Sequence, residues 1–285
     1  MSRTFYVNGD YVPEADAKIS VLDRGFLFAD GVYEVSTVLD GKLIDNRAHL
    51  ARLSRSLGEL AMAPPASDEH IIDAQHKLVE MNEVQEGLLY LQVSRGVDDR
   101  DFAFPKQPVS SLVMFTQHKK LLDSPLATRG ARVISVDDQR WGRRDIKTVQ
   151  LLAQSLAKQA AVEAGVDDAW MIEDGFVTEG SSNNAYIVTG DRTIRTRQLG
   201  TQILSGITRA AVLRFAKEEG YTVVEEAFTL EQAKAAAEAF VTSASSFVMP
   251  VVEIDGTPLG DGTPGPVSKR LREIYISTAR ERQDL

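Results

Sequence analysis

Lys147 stands in Arg143-Arg144-Asp145-Ile146-Lys147-Thr148, between a hydrophilic stretch and an apolar segment. A lysine held in a partly desolvated pocket loses part of its basicity and can act as a nucleophile. Read by itself, the position also suits a solvated lysine at a helix start. Glu179, in Val177-Thr178-Glu179-Gly180-Ser181-Ser182-Asn183, is followed by small residues that let a ligand approach the chain. A polar loop carboxylate is the other reading. Ser205-Gly206-Ile207-Thr208 offers successive N–H groups at a helix start and a glycine for close approach. That pattern makes either a phosphate cradle or an ordinary N-cap serine. Val241-Thr242-Ser243-Ala244-Ser245-Ser246 is a second hydroxyl-rich element, serving as a ligand-facing strand end or a turn.

Several other chemistries are excluded. With no cysteine there is no thiol nucleophile, disulfide or thiolate metal site. The four histidines, His49, His70, His76 and His118, form no HExxH or HxH cluster, so no metal is expected. No G-x-S-x-G elbow signals a serine hydrolase. A formal charge of −9 gives no general attraction to nucleic acid or to an anionic membrane. No apolar run reaches membrane-spanning length and the first residues lack a signal-peptide core, so a cytoplasmic protein is expected.

The elements that must position these residues are mixed. Thr4 to Val7, the Asn8-Gly9 turn and Tyr11-Val12 form a hairpin signal; Val32 to Val38, Asp40-Gly41 and Lys42 to Ile44 form a second. Asn46 suits the N-cap of a helix carrying Leu50, Leu53, Leu57 and Leu60, with His49 and Arg52 sharing one face. A helix is expected from Ser67 to about Met81, then strands at Leu88–Val93 and Ser111–Gln117. Further strands are expected at Ala131–Val136, Ala169–Ile172, Asn184–Val188 and Val251–Ile254, with an Asp174-Gly175 turn. Helices are expected from Thr148 to about Ala164, from Ser205 to Gly220, at the Thr229–Gln232 capping box and from about Pro266. Hydrophobic periodicity stops around His118–Pro125, which divides the chain into a small α/β domain (1–119), a linker (120–125) and a larger domain (126–285). The order indicates two α+β lobes rather than a regular βαβ array.

Six runs in order carry a resemblance. They are Asp23-Arg24-Gly25 with Asp30 to Val35; His49-Leu-Ala-Arg52-Leu53; Arg140-Trp141 to Lys147; Thr178 to Asn183; Ile203 to Arg209; and Val241-Thr242-Ser243. In that order the chain resembles the fold-type IV aminotransferases that depend on pyridoxal 5'-phosphate (PLP), nearest to the bacterial D-amino-acid enzymes. The resemblance implies a two-lobed α+β fold, with a smaller N-terminal α/β lobe and a larger PLP-binding lobe with a β-barrel-like core. It makes Lys147 the Schiff-base lysine and the proton carrier at the substrate carbon, and Glu179 the partner of the pyridine nitrogen. Arg52, the N–H groups of Ile207 and Thr208, and the Ser243-Ala244 region would hold the phosphate, with Ser182 beside the cofactor. Ala244 stands where a threonine often serves.

For substrate, the resemblance points to Tyr33 and to an Arg-x-His element reaching in from a partner subunit. Here that element reads Arg100-Asp101-Phe102, so Arg100 keeps its fork while Phe102 cannot donate a hydrogen bond. Arg143 and Arg144 are further candidates for that contact, with surface arginine as the favoured reading. The expected reaction is ping-pong transfer between a D-amino acid, such as D-alanine or D-glutamate, and a 2-oxo acid such as 2-oxoglutarate or pyruvate. The alternatives are an (R)-selective amine or branched-chain aminotransferase, and an aminodeoxychorismate lyase. A homodimer is implied by the family.

Overall fold

The computed structural model describes residues 3–190 and 192–282. Contacts divide the chain into two units. The first runs to Leu121 and also takes in Ile146–Gln150 and the chain from Ala279; the second comprises Leu122–Asp145 and Leu151–Thr278. A single cut at 120–125 leaves Lys147 with the second half of the chain, whereas contacts group it with the first.

In the first unit, β1 (Thr4–Val7) and β2 (Asp10–Pro13) form the Asn8-Gly9 hairpin, and α1 (Arg24–Phe28) follows. Then come β3 (Gly31–Leu39), β4 (Lys42–Ile44), α2 (Asn46–Glu59), α3 (Asp68–Met81), β5 (Glu86–Ser94) and β6 (Ser111–His118). The strands make one antiparallel sheet in the order β2-β1-β6-β5-β3-β4. Because side chains alternate along a strand, the sheet has two unlike faces. Tyr6, Leu89, Leu91 and Met114 are buried on one, where α2 and α3 bring Leu50, Leu53, Leu57, Ile71 and Leu78. The other carries half-buried Phe5, Tyr33, Tyr90 and Phe115.

Two expectations fail here for a physical reason. Asn46 is the first helical residue of α2 and Asp45 is its N-cap, in a left-handed conformation. The amide of Asn46 is engaged elsewhere, accepting from Ser36 Oγ at 3.0 Å and donating to Gln75 Oε1 at 2.7 Å. Nor does a helix begin at Thr148. Since β4 pairs only with Thr37–Leu39, the start of β3 has an open edge. The Lys147–Val149 segment fills it in extended form: Tyr33 N–H donates to Lys147 O and Val149 N–H to Gly31 O, both at 3.0 Å.

The second unit begins with α4 (Pro125–Arg129) and β7 (Ala131–Asp137), then α5 (Leu152–Glu163), β8 (Asp168–Glu173), β9 (Phe176–Gly180), β10 (Asn184–Val188) and β11 (Thr193–Thr196). It continues with α6 (Ile207–Glu218), β12 (Thr222–Glu225), α7 (Leu230–Lys234), β13 (Glu238–Ser243), β14 (Phe247–Ile254), β15 (Thr257–Pro258) and α8 (Pro266–Glu281). The path β12-β11-β10-β13-β14-β7-β8-β9, with β15 on β14, is a sheet that curls as a half barrel. Its core joins Trp170, Phe228, Ile187, Val241 and Val251, while Ala157 and Ala161 of α5 pack on Ala169 and Met171. The capping box of Thr229 and Gln232 opens α7 as expected. The strands β11 and β12 carry no signal in the sequence, because four residues are too few to show a periodicity.

Candidate active site

In the first unit, Lys147 Nζ lies 4.2 Å from the centroid of the Tyr33 ring, within cation–π range. Those two expected residues are therefore neighbours, joined by backbone as well as side chain. Arg52 sits among buried groups. From α2 its Nε and Nη2 donate to Glu34 Oε1 and Oε2 at 2.8 and 2.6 Å, and His49 Nδ1 meets Glu34 Oε2 at 2.7 Å. Burial alone would push the Glu34 carboxyl up, but the Arg52 charge and the hydrogen bonds from Arg52 and His49 win, bringing it to about 2.

Arg100 and Phe102 stand apart, on the loop after β5. Arg100 is exposed and Phe102 is 79% exposed, its ring 5.6 Å from Phe28. The loop is firmly held underneath. Arg24 and Arg95 both donate through Nε to Asp30 Oδ2 at 2.8 Å, Arg24 reaches Asp101 O at 2.6 Å, and the Arg95 guanidinium lies 3.7 Å from the Phe104 centroid.

The second unit gathers the rest around Glu179 at the end of β9. Its carboxylate accepts from Arg140 Nη1, from Asn184 Nδ2 at 2.9 Å and from Leu204 N–H at 3.2 Å. Asn184 is a hub. Its Nδ2 also reaches Leu204 O at 2.9 Å, and it pairs across the sheet with Thr242, the neighbour of Ser243. A Cβ at Gly206 would meet Asn184 Oδ1 at 2.1 Å, so the start of α6 can approach this closely only with glycine. Ile207 and Thr208 open α6 with no side-chain cap on Gly206. Ser243 ends β13, its hydroxyl 2.7 Å from Ser246 Oγ, and Ala244 follows in the turn.

Ser182 is exposed, whereas its neighbours are pinned: Ser181 and Asn183 both hydrogen-bond Asp168. Arg144 is a correction to the surface reading, since it is buried with Nη2 on Glu173 at 2.6 Å. Arg143 is half-buried on Asp145.

Burial raises the Glu179 carboxyl above its ordinary range; the charge and hydrogen bond of Arg140 and the Leu204 N–H oppose this, while nearby Asp138 adds to it. Sequence reasoning placed Arg140 in a matching run without a role and missed Asn184 and Asp138. The available signal for Asn184 was a polar amide opening the apolar strand Ala185-Tyr-Ile-Val188.

The chain matches the family model described as amino-transferase class IV over residues 31–254, and it belongs to that PLP-dependent family. It is 38% identical over 272 residues to D-alanine aminotransferase of Staphylococcus aureus (strain N315), covering 95% of each chain. With D-alanine aminotransferase of Bacillus licheniformis it shares 36% over 265 residues, 93% of each. Among solved structures it is similar to a T.th. branched-chain amino acid aminotransferase with pyridoxamine 5'-phosphate, with a TM-score of 0.92 and 28% identity, over 99% of this chain and 95% of that one. The protein is an aminotransferase with a fold-type IV architecture. Among the described residues no helix is long and apolar enough to cross a membrane, and no group of three or more His, Asp or Glu could hold a metal ion.

Proposed function

We propose that the protein transfers the amino group of a D-amino acid, such as D-alanine or D-glutamate, to 2-oxoglutarate or pyruvate. The observation that carries this is near full-length identity of 36–38% to D-alanine aminotransferases. Each unit offers donors of a type PLP needs: in the first an amine on Lys147, and in the second a buried carboxylate on Glu179 that suits a protonated ring nitrogen and N–H groups at the start of α6 for a phosphate.

Bound to these residues, PLP supplies a ring that accepts the electron pair left when the substrate carbon loses its proton. Lys147 would carry the cofactor and then move that proton, since release of the amine leaves a base beside the carbon. Glu179, oriented by Arg140 and Asn184, would keep a proton on the ring nitrogen. Arg52, its plane fixed by Glu34, would serve the phosphate with Ile207, Thr208, Ser243 and the N–H of Ala244, and Ser182 would stand beside the cofactor. Tyr33 and Arg100 would bind the substrate carboxylate, with Phe102 as an apolar wall. The exposure of Arg100 and Phe102 suits residues that serve a second copy's site, and a cytoplasmic homodimer completes the reading.

A second reading, an (R)-selective amine or branched-chain aminotransferase, is favoured by the likeness to the branched-chain enzyme and by the lack of a donor at Phe102. Borohydride reduction with peptide mapping, run beside D-alanine, L-leucine and a chiral amine each with 2-oxoglutarate, separates them. The expected result is label on Lys147 and turnover of D-alanine. No D-alanine turnover defeats the first reading, and pyruvate release without an acceptor would indicate a lyase.

A further inference from the structure

We propose that Tyr90 is a positioning residue for Lys147, acting through the ring of Tyr33. This rests on the reading of Lys147 as the reactive amine. The starting observation is a ladder of four rings on the half-buried face of the first sheet, with centroids of Phe5 and Phe115 at 5.3 Å, Phe115 and Tyr90 at 4.8 Å, and Tyr90 and Tyr33 at 5.5 Å. The register builds it: Phe5 is opposite Phe115 and Phe115 is opposite Tyr90, while Tyr33 lies on the diagonal because its own partner is Gln92. A cation stands at each end, with the Arg3 guanidinium 4.8 Å from Phe5 and Lys147 Nζ 4.2 Å from Tyr33.

Tyr90 is the rung that holds Tyr33 in two ways. Its ring stacks on Tyr33 at an interplanar angle of 24°, and its hydroxyl donates to Oε1 of Gln92, the register partner of Tyr33, at 2.8 Å. Burial, then the nearby Tyr33, push the Tyr90 phenol up, so it stays a neutral donor through the working pH range. The backbone bond from Tyr33 to Lys147 fixes where the lysine side chain starts. Four methylenes separate that point from the amine, and lysine is among the side chains with the most rotamer freedom. The Tyr33 ring is the seat that restricts where the amine rests, and a ring free to swing would release it.

The test compares Tyr90→Leu, which removes the rung, with Tyr90→Phe, which keeps the ring, and uses thermal unfolding to check the fold. Three quantities are read: PLP uptake by the cofactor-free protein followed by absorbance, reactivity of Lys147 in that protein towards trinitrobenzenesulfonate mapped by mass spectrometry, and kcat against KM. Tyr90→Leu is expected to change Lys147 reactivity and to slow uptake and kcat, each by about tenfold, while KM for the 2-oxo acid, whose carboxylate Tyr33 would also bind, rises by a smaller factor, about threefold. Tyr90→Phe is expected to stay within about 1.5-fold throughout, because the stack persists. A folded Tyr90→Leu with wild-type Lys147 reactivity and uptake overturns the proposal, as does a Tyr90→Phe that falls equally far. If Tyr90→Leu does not fold, Phe115→Leu replaces it, with a change of about threefold expected and no change overturning. If borohydride mapping marks another lysine, the functional reading fails separately, and the reagent reactivity of Lys147 still decides the role of Tyr90.

Discussion

Glu34 and Glu179 are the same residue type at similar depth, 2% and 5% exposed, and each faces an arginine, yet their carboxyls are driven in opposite directions. The difference lies in how the guanidinium is shared. Arg52 gives Glu34 two nitrogens in fork geometry, and His49 adds a third contact. Arg140 gives Glu179 only Nη1. Its Nε and Nη2 go to Asp138, at 3.0 and 2.7 Å, which also adds a second negative charge nearby. One carboxylate is thus fully matched within its own unit, which suits a structural anchor. The other is under-matched, which suits a residue that meets a positive charge on a bound group.

The comparison breaks most visibly if Glu34 is neutralised. Glu34→Gln removes the negative charge that faces the buried Arg52 and should lower unfolding stability by about 3–5 kcal/mol, read by denaturant titration. A loss under about 1 kcal/mol would mean that the pair is no anchor. Acid offers the same test without mutation. A carboxyl depressed from 4.5 to about 2 contributes stability that is present above pH 4.5 and disappears as pH falls through about 2. That contribution is about 3 kcal/mol, and the Glu34→Gln variant should lack this part of the acid limb. Glu179 has the opposite sign: its raised carboxyl favours the fold most below pH 4.5, and that contribution is lost as pH rises through the folded value.

Much of this was legible from sequence, though unevenly. The turns at Asn8-Gly9, Asp40-Gly41 and Asp174-Gly175 and the capping box at Thr229 are local signals, and the structure has each in place. The six ordered runs identify the family because they collect residues whose types the chemistry demands. What escaped was set by distant partners. Lys147 lies in an extended segment because the β3 edge more than a hundred positions earlier needs donors and acceptors, and no property of Thr148-Val149 announces that. Asn46 yields the cap because Ser36 and Gln75 claim its amide. The division of Arg140 between two carboxylates follows from tertiary packing, so its sequence position carried no role.

Glu179→Gln sharpens the comparison from the other side. It removes a charge whose burial is incompletely offset, so stability at neutral pH should hold or rise slightly, unlike Glu34→Gln. On the proposed role of Glu179, activity should fall by about a hundredfold in kcat, since an amide could not hold a ring nitrogen protonated. Differential scanning calorimetry and the D-alanine half-reaction read the two effects separately. A stability loss equal to that of Glu34→Gln would erase the distinction between anchor and working carboxylate.

The smallest effect concerns Asn184, the neutral donor on Glu179. Asn184→Ala removes the 2.9 Å contact to Glu179 and the 2.9 Å contact to Leu204 O, and should cost about 1–2 kcal/mol of stability. Losing a donor to the ionised form raises the Glu179 carboxyl further. The pH dependence of the half-reaction should therefore shift to higher pH on its acidic side, a movement that Asn184→Asp would exaggerate by adding a like charge. Packing damage alone would lower stability without moving that limb. If the limb stays put in both variants, Asn184 only joins β10 to Leu204, and the under-matching of Glu179 rests on Asp138 and Arg140 alone.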